Sequence, residues 1–263
     1  MAHLQKDREK RQPEQEPRGA DIIAGRNAVS EALRAGRTID SLYIQRGERS
    51  GALSALVAKA KAAGAAIKEA DPRKLDHLCG GANHQGVVAV AAVKEYATVE
   101  DLFQLAQERG EPPFFVLCDE LEDPHNLGAI IRTAECAGAH GVIVPKRRSA
   151  GLTAVVAKTS AGAVSYLPVA RVPNIAALLA DLKKRGIWVF GAAAEGSVSL
   201  YNADLAGPAA IVIGSEGDGM TRLVRESCDF LVSIPMKGRI SSLNASAAAA
   251  VLLYEALRQR LGG

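Results

Sequence analysis

Residues 114–144 have the sequence FFVLCDELEDPHNLGAIIRTAECAGAHGVIV, the strongest indication of fold class in this chain. The stretch begins with an apolar strand over residues 114–118 and continues into a predicted helix over residues 127–137, which Gly138 ends. A second apolar strand follows over residues 142–144. This order predicts a βαβ unit with parallel strands, and therefore an α/β fold.

The rest of the C-terminal part continues the alternation. Strands over residues 188–190 and 210–213 are almost entirely apolar, as expected for parallel strands covered by helices on both faces. Asn174 is placed to cap a further helix, and a long final helix is predicted over residues 245–260. We assign residues 114–263 to one α/β domain.

The N-terminal part is predicted to be a smaller α/β domain over residues 19–93. Its predicted helices and strands alternate, with helices near 27–35, 51–63 and 72–78 and strands over 41–45, 65–69 and 86–92. Residues 94–113, which end in a Gly-Glu-Pro-Pro breaker, are assigned to a linker that holds a short amphipathic helix. Residues 1–18 are charged and contain two prolines, which predicts a disordered tail.

Composition narrows the class of protein. Apolar residues make up 48% of the chain, and no apolar run approaches the length of a membrane span, so we expect no membrane protein. Neither the four cysteines nor the five histidines show metal-ligand spacing, and no metal is expected. Free thiols and an N-terminus without a signal peptide predict a cytoplasmic location. The net charge of +3 permits RNA binding without demonstrating it.

Two polar residues stand out on the helix of the βαβ unit. Asn126 is positioned to cap that helix, which would be a purely structural role. Arg132 is harder to explain, because it follows Ile131 on a helix whose apolar residues should face the core. An arginine there is expected to need an anionic partner or a polar cleft.

Two later stretches combine glycine turns with polar side chains. GSEGDG, residues 214–219, directly follows an apolar strand, the position where open α/β sheets bind ligands. Its glycines do not match the G-x-G-x-x-G fingerprint, which disfavours a nucleotide-dependent oxidoreductase. Glu216 within it could cap the next helix or be a solvated turn residue. IPMKGRISSLNAS, residues 234–246, presents four hydrogen-bonding side chains around the start of the final helix, and capping explains only one of them.

Taken in order, NLGAIIR (126–132), GSEGDG and IPMKGRISSLNAS resemble the three motifs of the SpoU (TrmH-like) branch of the SPOUT methyltransferases. These enzymes methylate ribose 2′-hydroxyls of RNA with S-adenosylmethionine. GRNAV (25–29) and HQGVV (84–88) resemble the small substrate-binding domain of many SpoU enzymes, whose fold is similar to ribosomal protein L30e. The resemblance covers nearly the whole chain beyond the tail.

The resemblance implies an α/β SPOUT domain with a parallel sheet and a deep C-terminal trefoil knot, preceded by a small L30e-like α/β domain. It also implies a homodimer whose active site is completed near the subunit interface. The layout is most similar to enzymes that methylate a guanosine of 23S rRNA, while tRNA methyltransferases and antibiotic-resistance rRNA methyltransferases share the motifs.

The resemblance also assigns roles to individual residues. Arg132 would reach the target ribose, either as a base or as a stabiliser of negative charge, and this choice stays open. The other catalytic positions implied are Asn126, Glu216, Ser242 and Asn244. Positions expected to hold the cofactor, largely through backbone groups, are Gly214, Ile234 and Leu243.

RNA contacts are expected from basic residues near strand ends, each of which could also be an ordinary solvated charge. The candidates are Arg46, Arg49, Lys146, Arg147 and Arg148. His125 is interpreted as a loop residue near RNA phosphate rather than as a base. A non-catalytic RNA-binding protein with the same fold is the alternative from another class.

Overall fold

The computed structural model describes residues 22–48, 50–196 and 198–262. They form two α/β units, each built on its own sheet. The predicted tail over residues 1–18 and the candidate RNA contact Arg49 lie outside the described residues. No helix in these ranges is long and apolar enough to cross a membrane, and no cluster of metal-ligating side chains is found within them.

The N-terminal unit contains a four-stranded sheet in the order β1-β4-β2-β3. Its elements are β1 (Ile22–Ala24), α1 (Arg26–Arg34), β2 (Ile39–Gln45), α2 (Gly51–Ala62), β3 (Ala66–Ala70), α3 (Pro72–Leu78) and β4 (Val87–Ala91). Strands β2 and β3 are parallel, and β4 runs antiparallel to β1 and β2. Every predicted element of this unit is present. The three-residue strand β1 was not predicted.

The C-terminal unit contains a seven-stranded sheet in the order β7-β6-β5-β10-β8-β11-β9. Its helices are α4 (Val99–Arg109), α5 (Pro124–Cys136), α6 (Ala154–Thr159), α7 (Ile175–Lys184), α8 (Arg222–Ser227) and α9 (Ala245–Arg260). Its strands are β5 (Phe114–Cys118), β6 (Gly141–Pro145), β7 (Val169–Val172), β8 (Trp188–Ala192), β9 (Val198–Ser199), β10 (Ala209–Ile213) and β11 (Phe230–Ser233). All of these strand pairs are parallel, and the predicted βαβ unit is β5-α5-β6.

The order of the sheet places the polar motifs together. Strands β5 and β10 are central neighbours, with Cys118 paired to Ile213, so the residues that follow each strand emerge side by side. Helices α5 and α9 pack on one face of the sheet, and α4 and α7 pack on the other. The site therefore lies at the carboxyl ends of the central strands, as expected for an open α/β sheet.

The segment assigned to a linker is folded in large part. Helix α4 lies within it and places Leu102, which is fully buried, in the core of the C-terminal unit. A Cβ at Gly141 would lie 2.3 Å from Leu102 Cγ, which shows how closely the helix approaches β6. Helix α4 therefore packs as part of the second unit.

Candidate cofactor and substrate site

A cavity of about 540 Å³ opens where strands β8, β10 and β11 end. Three segments line it, namely the loop after β8, the loop after β10, and the stretch between β11 and α9. This volume is in the range of pockets that hold nucleoside-sized ligands. Among the expected site residues, those that line the cavity are Gly214, Glu216, Ile234, Ser242, Leu243 and Asn244.

The loop after β10 is a closed turn that depends on glycine. Ser215 and Gly219 exchange two backbone hydrogen bonds, of 3.0 and 3.1 Å. A Cβ at Gly214 would lie 2.2 Å from main-chain atoms of Gly219 and Met220, so only glycine fits there without displacing the backbone. Gly217 and Gly219 have φ of +96° and +70°, which other residues rarely adopt.

A buried carboxylate fixes the end of this loop. Asp119 follows β5 directly, is 4% exposed, and accepts hydrogen bonds from the Thr221 amide at 2.7 Å and hydroxyl at 2.8 Å. Its own amide donates to Ile213 O at 2.8 Å. Asp119 thus ties both ends of the loop to the centre of the sheet. The sequence analysis missed this residue, although an acid directly after a central apolar strand was a usable signal.

Asn126, Glu216 and Asn244 form one hydrogen-bonded network. The Asn126 amide donates to Glu216 Oε1 at 2.9 Å, and the Asn244 amide donates both to Asn126 Oδ1 at 3.0 Å and to Glu216 Oε1. Glu216 lies 90 positions and Asn244 lies 118 positions after Asn126 in the sequence, and each of the three residues comes from a different motif. The three motifs therefore converge at one point beside the cavity.

The helix caps correct one expectation. Asn126 does not cap α5, because Asp123 is the capping residue and its side chain accepts from the His125 amide at 2.9 Å. Asn126 instead lies in the first turn, where its buried side chain joins the network above. Asn244 does cap α9, since its Oδ1 accepts from the amides of Ser246 and Ala247.

Arg132 is not part of the cavity lining. It is exposed on α5, and its guanidinium makes no hydrogen bond or ion pair with any described residue. Six residues along a helix correspond to about 9 Å, and helical side chains lean toward the N-terminus. The Arg132 side chain therefore leans toward the turn of α5 that carries Asn126, although the two residues point about 120° apart around the helix axis.

The candidate RNA contacts differ in their surroundings. Arg46, Lys146 and Arg147 are exposed, and the last two lie at the same sheet edge as the cavity because they follow β6. Arg148 is exposed but paired with Glu120 at 2.7 Å. That pairing holds the pKa of Arg148 above its usual value through its hydrogen bond and charge.

Several charged residues near the cavity were not anticipated. Glu195, Asp218 and Arg225 contribute to its lining. Lys237 and Arg239 are exposed on the segment between the lining residues Met236 and Ser241. Lys237 and Arg239 belong to the third motif, but the sequence analysis selected only the serines and the asparagine of that motif as site residues.

Comparisons with known proteins agree with the two-unit architecture. Residues 113–254 match the SpoU rRNA Methylase family, and residues 22–97 match a family described as RNA 2'-O ribose methyltransferase substrate binding. YacO of Bacillus subtilis (strain 168), named as a TrmH family tRNA/rRNA methyltransferase, is 49% identical over 240 residues, which cover 91% of this chain and 96% of YacO.

Solved structures with bound cofactor are also similar. The SpoU methyltransferase AviRb from Streptomyces viridochromogenes, in complex with AdoMet, has a TM-score of 0.58 and 31% identity, covering 92% of this chain and 91% of AviRb. An AdoMet-bound rRNA methyltransferase from Sinorhizobium meliloti has a TM-score of 0.56 and 27% identity, covering 90% of this chain and 87% of that enzyme.

Proposed function

The chain belongs to the SpoU rRNA methylase family of RNA methyltransferases, and from this membership we propose that it methylates a ribose 2′-hydroxyl of a guanosine in 23S rRNA. The family assignment confirms the motif resemblance and the S-adenosylmethionine requirement. The 23S guanosine is the proposed part. Its support is the two-unit layout together with the DPHNLG and IPM…SSLN stretches.

The network of Asn126, Glu216 and Asn244 is the observation that carries this proposal. A carboxylate oxygen that accepts from two side-chain amides holds both amides in fixed orientations at the edge of the cavity. A non-catalytic RNA-binding protein would not need such an arrangement beside a nucleoside-sized cavity. We propose that the network orients the target nucleotide, with Ser242 as a further hydrogen-bonding group.

The cavity suits the cofactor in size and charge. Apolar side chains of Ile213, Val232 and Ile234 offer a surface for an adenine ring. Glu195 and Asp218 complement a ligand that carries an ammonium and a sulfonium group. Gly214, Ile234 and Leu243 would hold it mainly through backbone groups. When bound, S-adenosylmethionine supplies the methyl group attached to its positively charged sulfur.

Arg132 is proposed to stabilise the charge that develops on the 2′-oxygen as the hydroxyl loses its proton. A guanidinium stays protonated at neutral pH, so charge stabilisation suits it better than general-base catalysis. Because its guanidinium forms no ion pair with any residue that the structure describes, it is available for a ribose oxygen or a neighbouring phosphate. We also propose that the segment after β11 is threaded as a trefoil knot that shapes this site.

RNA is proposed to contact both units. We assign residues 19–93 to substrate recognition, with Arg46 and Arg49 as candidate contacts, and residues 114–263 to catalysis, with residues 94–113 between them. Lys146 and Arg147 would bind phosphates near the cavity, and Arg148 would first have to exchange Glu120 for a phosphate. Because its substrates would be rRNA or tRNA, we place the enzyme in the cytoplasm.

Mapping of the modified nucleotide tests the proposed function. Transcribed 23S rRNA and an unmodified tRNA pool are incubated separately with the enzyme and S-adenosylmethionine carrying a labelled methyl group. We expect label on a guanosine 2′-oxygen of 23S rRNA. Label on tRNA ribose would move the substrate to tRNA, and label on a base would contradict the proposed chemistry. Calorimetry that detects no cofactor binding would favour the non-catalytic alternative.

A homodimer is proposed through one face of α9. Ala247, Val251 and Tyr254 follow one another at intervals of four and three residues, and Leu261, the residue that caps α9, comes seven residues after Tyr254. Tyr254 and Leu261 are 51% and 78% exposed. This spacing places the four residues along one side of the helix, where Val251 also packs against the core and Ala247, Tyr254 and Leu261 are exposed. A second copy of α9 is the occupant that fits a self-complementary interface.

We predict that Tyr254→Glu converts the dimer into a monomer, because a carboxylate in the centre of an apolar interface loses its hydration without gaining a partner. Light scattering coupled to gel filtration should give the 27.6 kDa of one chain for this variant and twice that mass for the wild type. Tyr166→Glu, at a tyrosine 79% exposed outside α9, is the matched control and should stay dimeric. A wild-type monomer would contradict the dimer.

A further inference from the structure

The two units meet at a buried, charged contact. Asp40 lies near the start of β2 in the N-terminal sheet, and Arg171 lies on β7 at the edge of the C-terminal sheet. Their side chains are only 5% and 6% exposed, respectively. Arg171 Nη2 lies 3.0 Å from Asp40 Oδ1, and Nη1 donates to the Asp40 carbonyl at 3.1 Å. The guanidinium therefore binds both the side chain and the backbone of the other unit.

Tyr96, in the segment between the units, completes the contact. Its hydroxyl donates to Asp40 Oδ1 at 2.6 Å and accepts from the Leu152 amide at 3.0 Å. The Arg171 guanidinium lies 4.5 Å from the centre of the Tyr96 ring. Burial, reinforced by the Asp40 charge, raises the pKa of Tyr96 above its usual range, so the phenol keeps the proton that it donates. We call Asp40, Tyr96, Gly151 and Arg171 the interdomain joint.

The chain that connects the units is held against the C-terminal unit. The Val93 amide donates to Leu152 O at 2.8 Å, and the Ala97 amide donates to Val169 O at 2.9 Å. Lys94 Nζ donates to Ser165 O at 3.1 Å. The residues on both sides of Tyr96 are thus fixed by hydrogen bonds, so this stretch cannot act as a flexible tether.

Gly151 allows the approach of Asp40. A Cβ at Gly151 would lie 2.0 Å from Asp40 Oδ1 and 2.1 Å from Cγ. The φ of Gly151 is not in the left-handed region, so alanine is acceptable to the backbone and only the contact with Asp40 forbids it. The C-terminal unit therefore contains a recess shaped for one carboxylate of the N-terminal unit.

A buried ion pair is a costly way to stabilise a protein. The desolvation of two charges offsets most of their attraction, and well-packed apolar residues would stabilise the contact equally well. In addition, Arg171 Nε is buried without a hydrogen-bond partner in the described ranges. What such a contact can contribute is a preference for one arrangement of the units, because separating its members while they stay buried leaves a charge unpaired.

We propose that the interdomain joint holds the RNA-recognising unit at one fixed distance and angle from the cavity. The enzyme then selects folded RNA in which the recognised element and the target ribose are separated by a matching span. This rests on the proposed function and deepens it. Asp40, Tyr96, Gly151 and Arg171 are positioning residues for the substrate and do not touch the reacting atoms.

A fixed span favours RNA whose own structure is rigid. If the units moved freely, each RNA complex would have to lose that motion on binding, which lowers affinity. With the units held, both contacts form at a high effective concentration if the spacing matches, and the second contact is lost if it does not. Breaking the joint should therefore weaken RNA binding and leave the cofactor cavity intact.

Asp40→Asn tests this. We expect the KM for transcribed 23S rRNA to rise about tenfold or more, with kcat changed by less than about threefold and AdoMet affinity unchanged. Small-angle X-ray scattering of the free enzyme should show a larger radius of gyration. Gly151→Ala, on the C-terminal side of the contact, should raise KM and the radius of gyration in the same way. The double variant should have a KM no higher than that of either single variant, because both changes open the same contact.

Lys183→Met is the matched control. It breaks the 2.9 Å ion pair of Lys183 with Asp229, which lies wholly within the C-terminal unit, and should leave KM and scattering unchanged. If the Asp40→Asn variant does not bind AdoMet, Tyr96→Phe is used instead, because it removes only the phenol hydroxyl from the joint. Variants with wild-type KM and wild-type scattering would overturn the proposal. If 23S rRNA is not methylated at all, the proposed function is wrong. Small-angle scattering of the variants, and filter binding of the same transcript, would still test whether the joint fixes the two units and strengthens RNA binding.

Discussion

Arg132→Ala is expected to lower kcat about 1,000-fold while AdoMet affinity and the unfolding temperature stay near those of the wild type. The guanidinium is exposed and makes no hydrogen bond or ion pair in the described part of the chain, so its removal breaks nothing that holds α5 in place. The loss should appear in single-turnover methylation of the mapped RNA. In that measurement, product release does not obscure the chemical step.

A second substitution at Arg132 tests its role, and a substitution at another exposed arginine serves as the comparison. Arg132→Lys keeps a positive charge with a different shape, so it should retain part of the activity if charge stabilisation is the main contribution. Arg147→Ala removes another exposed arginine and should raise the KM for RNA with little effect on kcat. Turnover by folded Arg132→Ala within about tenfold of the wild type would exclude a central role for this residue.

The sequence alone was sufficient for the elements with strong periodicity or clear end signals. The final helix was predicted over residues 245–260 and is found as Ala245–Arg260, with Asn244 as its cap. Asn174 caps α7 as expected, accepting from the Ala177 amide at 3.1 Å. In both cases the information is local, because a capping side chain bonds an amide two or three residues further along.

Elements that depend on the rest of the fold were missed. β7 and β11 were not predicted, and they are strands because β7 pairs with β6 and β11 pairs with β8 and β9. Asn126 was expected to cap α5, and its hydrogen bonds to Glu216 and Asn244 instead depend on parts of the chain 90 and 118 residues away. The interdomain joint could not be predicted for the same reason, since no residue near Asp40 in the sequence indicates that Arg171 is its partner.

Gly214→Ala is expected to weaken AdoMet binding about 100-fold, as measured by calorimetry, because overpacking of this kind costs up to about 3 kcal/mol. The added methyl group would meet main-chain atoms of Gly219 and Met220 at 2.2 Å. Those atoms cannot retreat easily, since Asp119 holds the adjoining Thr221 through two hydrogen bonds. The strain should therefore distort the loop that lines the cavity.

Gly207→Ala is the matched control, because Gly207 lies just before β10 and no atom lies within 4 Å of a Cβ placed there. It should bind AdoMet like the wild type. Together with Arg132→Ala, the pair separates the two halves of the reaction: one variant should lose the cofactor, while the other keeps it and loses turnover. Wild-type AdoMet affinity in Gly214→Ala would mean that the loop after β10 does not hold the cofactor, even though it lines the cavity.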